Sequence, residues 1–163
     1  MKPVLSIDFE SRSAIDLKHQ GMHVYWEHPS TIALCAAWAI DDGPVQIWRP
    51  GMGIPAQVED HIIGGHAVSG WNVTFERLAF EHHMAPVYRW PIPRLGQYED
   101  TMAMAAAMSL PRSLDEAAEA IQLGIRKDAA GYRDMLALSK PRKRRKDEPP
   151  GLYWDEDPAK FAR

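Results

Sequence analysis

Two runs of apolar residues near the start of the chain have the pattern of β-strands. Residues 4–11 form an apolar run that ends with two acids, Asp8 and Glu10. Residues 31–40 are continuously apolar, which is typical of a central buried strand. Asp42-Gly43 then predicts a tight hairpin, and residues 45–48 its return strand. The pattern predicts a sheet of three strands in this region, with antiparallel pairing at the hairpin.

The rest of the chain has mainly helical periodicity, with one more short strand predicted at residues 67–70. The start and stop signals of helices indicate these at 55–63, 73–83, 100–110, 113–124 and 129–138. Ser113 and Glu116 have the spacing of a capping box, and Asp157-Pro158 is typical of a helix start. Residues 13–28 are predicted as a loop or short helix, and 86–93 as a loop. Strands followed by covering helices predict an α/β fold.

The composition fits a globular protein that can bury its own core. The length of 163 residues is that of one domain, and the hydrophobic share of 45% is ordinary. The one cysteine, Cys35, excludes a disulfide framework within the chain and fits a reducing, cytoplasmic setting. No apolar run approaches bilayer length, so no membrane partner is expected. Six of the 19 basic residues lie between Lys140 and Lys146, and the net charge is −3, so the remainder is distinctly acidic.

Two groups of polar residues are candidates for chemistry. Asp8 and Glu10 are two apart on a strand and therefore point to one face. Two acids this close need a divalent cation or a shared proton, unless the strand runs into a turn where both are solvated. Asn72 and Glu76 follow at a strand-to-helix junction, four apart on one helical face. Their ordinary roles there are a helix cap and a solvated acid.

Taken in order along the chain, these motifs resemble a known enzyme superfamily. Asp8-Phe9-Glu10 followed by Asn72 and Phe75-Glu76 resembles the motifs of the DEDD superfamily of 3′-5′ exonucleases. Asp100-Thr101-Met102 is similar to the start of the next helix in proofreading domains of family A DNA polymerases. Further segments resemble the N-terminal exonuclease region of bacteriophage-type family A polymerases: Ser113-Leu114, Lys127-Asp128, residues 138–143 and residues 154–158.

The resemblance implies an RNase H-like fold, a mixed central sheet flanked by helices, in a single exonuclease domain over residues 1–163. It implies hydrolysis of DNA from a 3′ end by two Mg²⁺ or Mn²⁺ ions, which together activate water and stabilise the leaving oxygen. The residues that it makes catalytic and metal-binding are Asp8, Glu10 and Glu76. The residues that it places at the terminal nucleotide are Phe9, Ser11, Asn72 and Phe75. The implied partners are single-stranded or frayed 3′ ends and a polymerase domain in the full-length protein, in the cytoplasm of a bacterial host.

Two departures from the family pattern bear on activity. The second motif carries Glu76 where much of the superfamily has Asp. The fourth acid belongs to a Tyr-x-x-x-Asp or His-x-x-x-x-Asp pattern on a late helix, which in the resembling polymerases falls beyond residue 163. The chain is therefore expected to be truncated at its C-terminus, and weakly active or inactive. The alternative is that Asp155 or Asp157, in a Tyr-x-x-x-Asp match by letter, supplies this acid.

The basic run belongs to a proline-bearing segment over residues 140–151 that is expected to be mobile. Its cations are candidates for contacts with a phosphate backbone, since each can displace a condensed counterion. The candidate contacts are Arg142, Lys143, Arg144 and Arg145. A solvated, flexible loop is the alternative. Two further functions stay open: a non-catalytic nucleic-acid-binding module of the same fold, and a different RNase H-like nuclease such as a structure-specific endonuclease.

Overall fold

A mixed five-stranded sheet lies at the centre of the computed structural model, which describes residues 2–124 and 128–161. Lys127 and Arg163 lie outside the described residues. The strands are β1 (Val4–Arg12), β2 (Ile32–Ile40), β3 (Gln46–Trp48), β4 (Ala67–Gly70) and β5 (Tyr98–Asp100). Their order is β3-β2-β1-β4-β5. The pairs β1–β2 and β2–β3 are antiparallel, whereas β1–β4 and β4–β5 are parallel.

Helices flank this sheet. The α-helices are α1 (Leu17–Glu27), α2 (Ala56–Ile63), α3 (Thr74–Ala79), α4 (Ala85–Tyr88), α5 (Thr101–Ala107), α6 (Leu114–Ala120), α7 (Ala129–Ser139) and α8 (Pro158–Phe161). A π-helical turn over Phe80–Met84 joins α3 to α4. The predicted α/β class is confirmed, and the architecture is compatible with an RNase H-like fold. None of the helices in the described part of the chain is long and apolar enough to cross a membrane.

β1 is the middle strand of the sheet, paired on both edges. Its burial alternates, with Leu5, Ile7 and Phe9 buried and Asp8 on the exposed face. The pairing with β2 shifts between Glu10 and the residue after it, which marks a bulge at the end of the acidic segment. The predicted strand over residues 31–40 is confirmed as β2, an interior strand that lies between β1 and the short β3.

The core lies where α3 and the π-helical turn pack against β1. The Phe80 ring is fully buried, 5.4 Å from the Phe9 ring in an edge-on contact. The predicted helix over 73–83 is confirmed, but it continues to Tyr88, so the predicted loop begins three residues later than expected. Pro86 is tolerated because it lies in the first turn of α4, directly after the π-helical turn, where a missing backbone N–H costs little.

Residues 13–28, predicted as a loop or short helix, contain the helix α1, capped by Asp16, whose carboxylate accepts from two backbone amides of the first turn. Other local predictions differ from the structure. The Ser113 side chain makes no capping hydrogen bond. α6 ends at Ala120, short of the expected residue 124. The strand β5 was not predicted; it has three residues and is defined by its pairing with β4.

We expect Phe80→Ala to lower the free energy of unfolding by about 3–5 kcal/mol, because it leaves a cavity between β1 and the π-helical turn. Urea denaturation measures this loss. Met108→Ala is the control: the Met108 side chain is 73% exposed, and its truncation should change stability by less than about 0.5 kcal/mol. Equal losses in the two variants would contradict the position of the core.

Candidate metal and nucleic-acid site

Acidic residues converge at the edge of the sheet where the parallel strands β1, β4 and β5 end. Asp8 and Glu10 belong to β1, and Asp100 ends β5. Glu76 lies in the first turn of α3, the helix that follows β4. The charges of Asp8 and Asp100 act on the Glu76 carboxyl. The structure thus brings together acids from the first two motifs, which are far apart in the sequence.

The Glu76 carboxyl is the most strongly perturbed group of this cluster. The residue is 2% exposed, and its Oε2 atom has no hydrogen-bond partner among the described residues. Burial, with a smaller contribution from the charges of Asp8 and Asp100, raises the pKa of Glu76 to about 8; the backbone amides of Glu76 and Phe9 partly offset this. A buried carboxylate oxygen without a partner is costly, so this atom calls for a proton or a cation.

Gly70 leaves room for this carboxyl at the end of β4. A Cβ atom at position 70 would lie 3.2 Å from Glu76 Oε2 and 3.3 Å from the backbone oxygen of Ile7. The first contact involves a buried side chain and the second involves the backbone of β1, so neither neighbour can move freely. Position 70 therefore suits glycine because the acid and the strand approach it so closely.

The two acids of β1 have different surroundings. Asp8 is an exposed residue, yet partial desolvation of its carboxyl raises its pKa above the usual value. Glu10 is half-buried and borders two cavities, one on each side of α7. Its charge adds to burial in raising the pKa of Cys35, its partner across the β1–β2 pair. Negative charge is therefore concentrated along the end of β1.

Asp100 is a structural member of the site that the sequence-based list of site residues omitted. Its Oδ1 atom accepts from the amides of Asn72 at 3.2 Å, Met102 at 2.9 Å and Ala103 at 3.2 Å. It thereby caps α5 and holds Asn72, which has a left-handed backbone with φ of 62°. The resemblance of residues 100–102 to the family was the sequence feature that could have identified Asp100 as a member of the site.

Asn72 does not lie on α3. That helix begins at Thr74 after Val73, so the expectation that Asn72 and Glu76 share one helical face was wrong. The left-handed turn at Asn72 carries the chain from β4 into α3, and asparagine adopts this conformation more readily than most residues. Asn72 contacts the acidic cluster through its backbone amide, which donates to Asp100.

A cavity of about 440 Å³ adjoins Glu10 between β1, the start of α1 and α7. Its walls include the aromatic and apolar residues Phe75, Tyr132 and Leu136, and it is also bordered by Lys18 and Lys140. Ligand pockets commonly have about 300–1,000 Å³ and combine apolar walls with a few polar groups. The volume lies in that range, and the lining combines aromatic faces, which can stack with unpaired bases, with two lysines and the two acids Glu10 and Asp16.

The residues that the resemblance placed at the terminal nucleotide have different positions around this cavity. The Phe9 side chain is 3% exposed and packs in the core against Phe80 and Trp90, although the residue borders the cavity. Ser11 is buried, with its hydroxyl 2.9 Å from that of Tyr25. Phe75 lines the cavity directly and packs on Trp26.

The alternative fourth acids are engaged in local structure. Asp155 forms an ion pair with Lys160 and accepts from the Asp157 amide. Asp157 caps α8 through a 3.0 Å bond from the Ala159 amide. Within residues 2–124 and 128–161, no three His, Cys, Asp or Glu side chains are grouped so as to hold a metal ion.

Comparison with known proteins finds a similarity to a phage enzyme. No protein-family model matches the chain. The chain is 32% identical over 140 residues to the DNA polymerase of Bacillus phage SP02. This alignment covers 84% of the chain but only 21% of that polymerase. The chain is therefore related to a limited part of a phage DNA polymerase.

In EDTA, we expect the free energy of unfolding to fall as the pH rises from 4.5, the usual pKa of a glutamate carboxyl, towards about 8, the pKa of Glu76 in the folded chain. Over that window the folded chain keeps the proton and the unfolded chain has lost it, so raising the pH favours unfolding. Urea unfolding at a series of pH values measures this.

The comparison with Glu76→Gln isolates the contribution of this one group. The variant should show a flatter profile than the unchanged chain, whereas Glu119→Gln, at an exposed acid of α6, should keep the original slope. Identical profiles for the unchanged chain and Glu76→Gln would contradict the burial of this carboxyl.

Proposed function

We propose that the chain contains the metal-dependent 3′-5′ exonuclease site of a phage-type DNA polymerase. The observation that carries this proposal is the buried Oε2 of Glu76, which lacks a partner beside the charge of Asp8. The nucleotide-sized cavity next to Glu10 and the similarity to a phage DNA polymerase support it. The substrate is a DNA 3′ end that is single-stranded or frayed from its complement.

In this proposal the acids at the end of β1 and the start of α3 take up divalent cations. Asp8, Glu10 and Glu76 would hold them, because Mg²⁺ and Mn²⁺ prefer carboxylate oxygen ligands. A cation there would give Glu76 Oε2 its missing partner and relieve its repulsion with Asp8. When bound, such ions make water nucleophilic and stabilise the charge on the leaving 3′ oxygen.

The remaining residues bind and orient the substrate in this proposal. The cavity provides these contacts: the terminal base packs against Phe75, and the two lysines at the border of the cavity attract phosphate. Gly70 and Asp100 keep Glu76 and Asn72 in position. These contacts hold the terminal phosphodiester beside the acids of β1, which is the orientation that hydrolysis requires.

The activity of this chain should be weak. The family site uses four acids, and the described residues offer Asp8, Glu10 and Glu76 for that role. Asp155 and Asp157 are held by Lys160 and by the start of α8. A missing carboxylate lowers the affinity for cations and leaves the attacking water less well positioned.

A nucleic-acid-binding module that does not hydrolyse its ligand is the second candidate. It is favoured by the finding that the described residues contain no ready group of three metal-binding side chains. It predicts a cavity that binds a DNA end without turnover. A structure-specific nuclease of the same fold is a third possibility, which would cut DNA that has no free end.

We expect slow shortening of 5′-labelled single-stranded DNA from its 3′ end when Mn²⁺ is present. Asp8→Asn and Glu76→Gln should each reduce the rate by more than about 10–100-fold, the loss caused by changing groups that merely orient a metal ligand. Gel electrophoresis of the products measures both rate and polarity.

The exposed Glu119→Gln variant is the matched control and should keep the original rate. Circular single-stranded DNA should not be cut, because it has no 3′ end. Undiminished turnover in Asp8→Asn, or cutting of the circles, would contradict the proposed exonuclease. Binding of DNA ends without any turnover in Mn²⁺ would favour the second candidate.

A further inference from the structure

The segment between α7 and α8 folds into a closed basic loop. The amide of Arg142 donates to the backbone oxygen of Tyr153 at 2.9 Å, and these two residues form an antiparallel bridge. We call residues 142–153 the basic arm. The bridge joins the two ends of the arm, so the residues between them project as one loop.

The Arg142 side chain holds this loop closed from the inside. Its Nη1 and Nη2 atoms donate to the two carboxylate oxygens of Glu148, at 2.8 Å and 2.5 Å. Its Nε atom donates to the backbone oxygen of Trp154 at 3.1 Å, and the guanidinium lies over the Tyr153 ring. The Arg145 amide donates to the same Glu148 carboxylate. A bidentate pair of this kind fixes geometry as well as charge, so Arg142 organises the arm.

Four consecutive cations lie at the exposed end of the arm: Lys143, Arg144, Arg145 and Lys146. Adjacent like charges repel one another and favour an open chain. The Arg142–Glu148 pair opposes this opening, because it fixes the residues on both sides of the four. The closed arm therefore presents concentrated positive charge in a defined place, which suits a polyanion.

The base of the arm is attached to the strand that carries the acids. Arg12, the last residue of β1, pairs with Glu156 at 2.8 Å, and its guanidinium lies 4.9 Å from the centre of the Trp154 ring. At the other end, Lys140 borders the cavity beside Glu10 and is two residues from Arg142. The arm therefore begins two residues after the border of the cavity.

We propose that the basic arm binds the phosphate backbone of a single-stranded nucleic acid whose 3′ end enters the cavity. A nucleic acid fits better than an acidic peptide because the arm begins two residues after Lys140, at the border of a cavity with aromatic walls on which bases can stack. Arg142 and Glu148 are positioning residues. The location of the strand's end rests on the proposed function, whereas affinity for the strand can be measured without hydrolysis.

The test measures binding of a fluorescent single-stranded oligonucleotide by anisotropy, in EDTA and at several salt concentrations. The variant Arg144→Gln/Arg145→Gln/Lys146→Gln removes three charges from the arm. The slope of log K against log salt should become less steep by about 2, since each phosphate contact with a single strand contributes about 0.7. The control Lys2→Gln/Arg89→Gln/Arg94→Gln removes three exposed charges elsewhere and should leave the slope nearly unchanged.

Glu148→Gln separates a shaped arm from simple charge attraction. Removing a negative charge should tighten binding to DNA if only net charge matters. If the Arg142–Glu148 pair positions the arm, the same variant should weaken binding several-fold. Circular dichroism and thermal unfolding identify any variant that fails to fold. Arg142→Lys then provides the second measurement, because it keeps the positive charge but loses the two parallel bonds to Glu148, and weaker binding is expected again.

The outcomes separate this inference from the proposed exonuclease. A less steep salt slope in the arm variant supports nucleic-acid binding by the arm even if Mn²⁺ produces no hydrolysis. Equal slopes for the arm variant and its control overturn the arm even if hydrolysis is observed. Tighter binding by Glu148→Gln overturns the positioning role. If the arm variant bound DNA as the unchanged chain does but no longer bound polyglutamate, the arm would be assigned to an acidic peptide. That result would overturn the proposed partner.

Discussion

The burial of the Glu76 carboxyl against the end of β1 is the constraint on which the candidate site depends. Removing a carboxylate from water costs several kcal/mol unless a proton or a counter-charge compensates. Gly70 is small where this carboxyl lies, and Asp8 adds like charge beside it. The rest of the edge is therefore arranged around an acid that the described residues leave partly unsatisfied.

The carboxylates of the chain divide according to what already satisfies them. Asp16 and Asp100 accept backbone amides at helix starts, and Glu148 accepts from Arg142. Asp155 is paired with Lys160. Each of these acids has a local partner that accounts for its position. Glu76 lacks such a partner at one oxygen, which is why it is the better candidate for an external cation.

Sequence patterns predicted the features that depend on near neighbours. Strand alternation placed Asp8 and Glu10 on one face, and the same alternation implies that Phe9 points inward, as the structure shows; the family resemblance instead suggested a substrate contact. β5 escaped prediction because three residues carry little pattern and the strand depends on β4. The left-handed Asn72 and the Arg142–Glu148 closure likewise depend on contacts that the sequence pattern does not encode.

The two halves of the proposed site differ in what should control them. Because the pKa of Glu76 is about 8 without a cation, the group is mostly protonated at neutral pH, and a cation must displace that proton. Occupation of the acidic edge should therefore depend on pH. The proposed contacts of the basic arm are attractions between surface charges and phosphates, so they should respond to salt instead. A strand held by the arm could then remain bound under conditions in which the acidic edge is protonated and hydrolysis is slow.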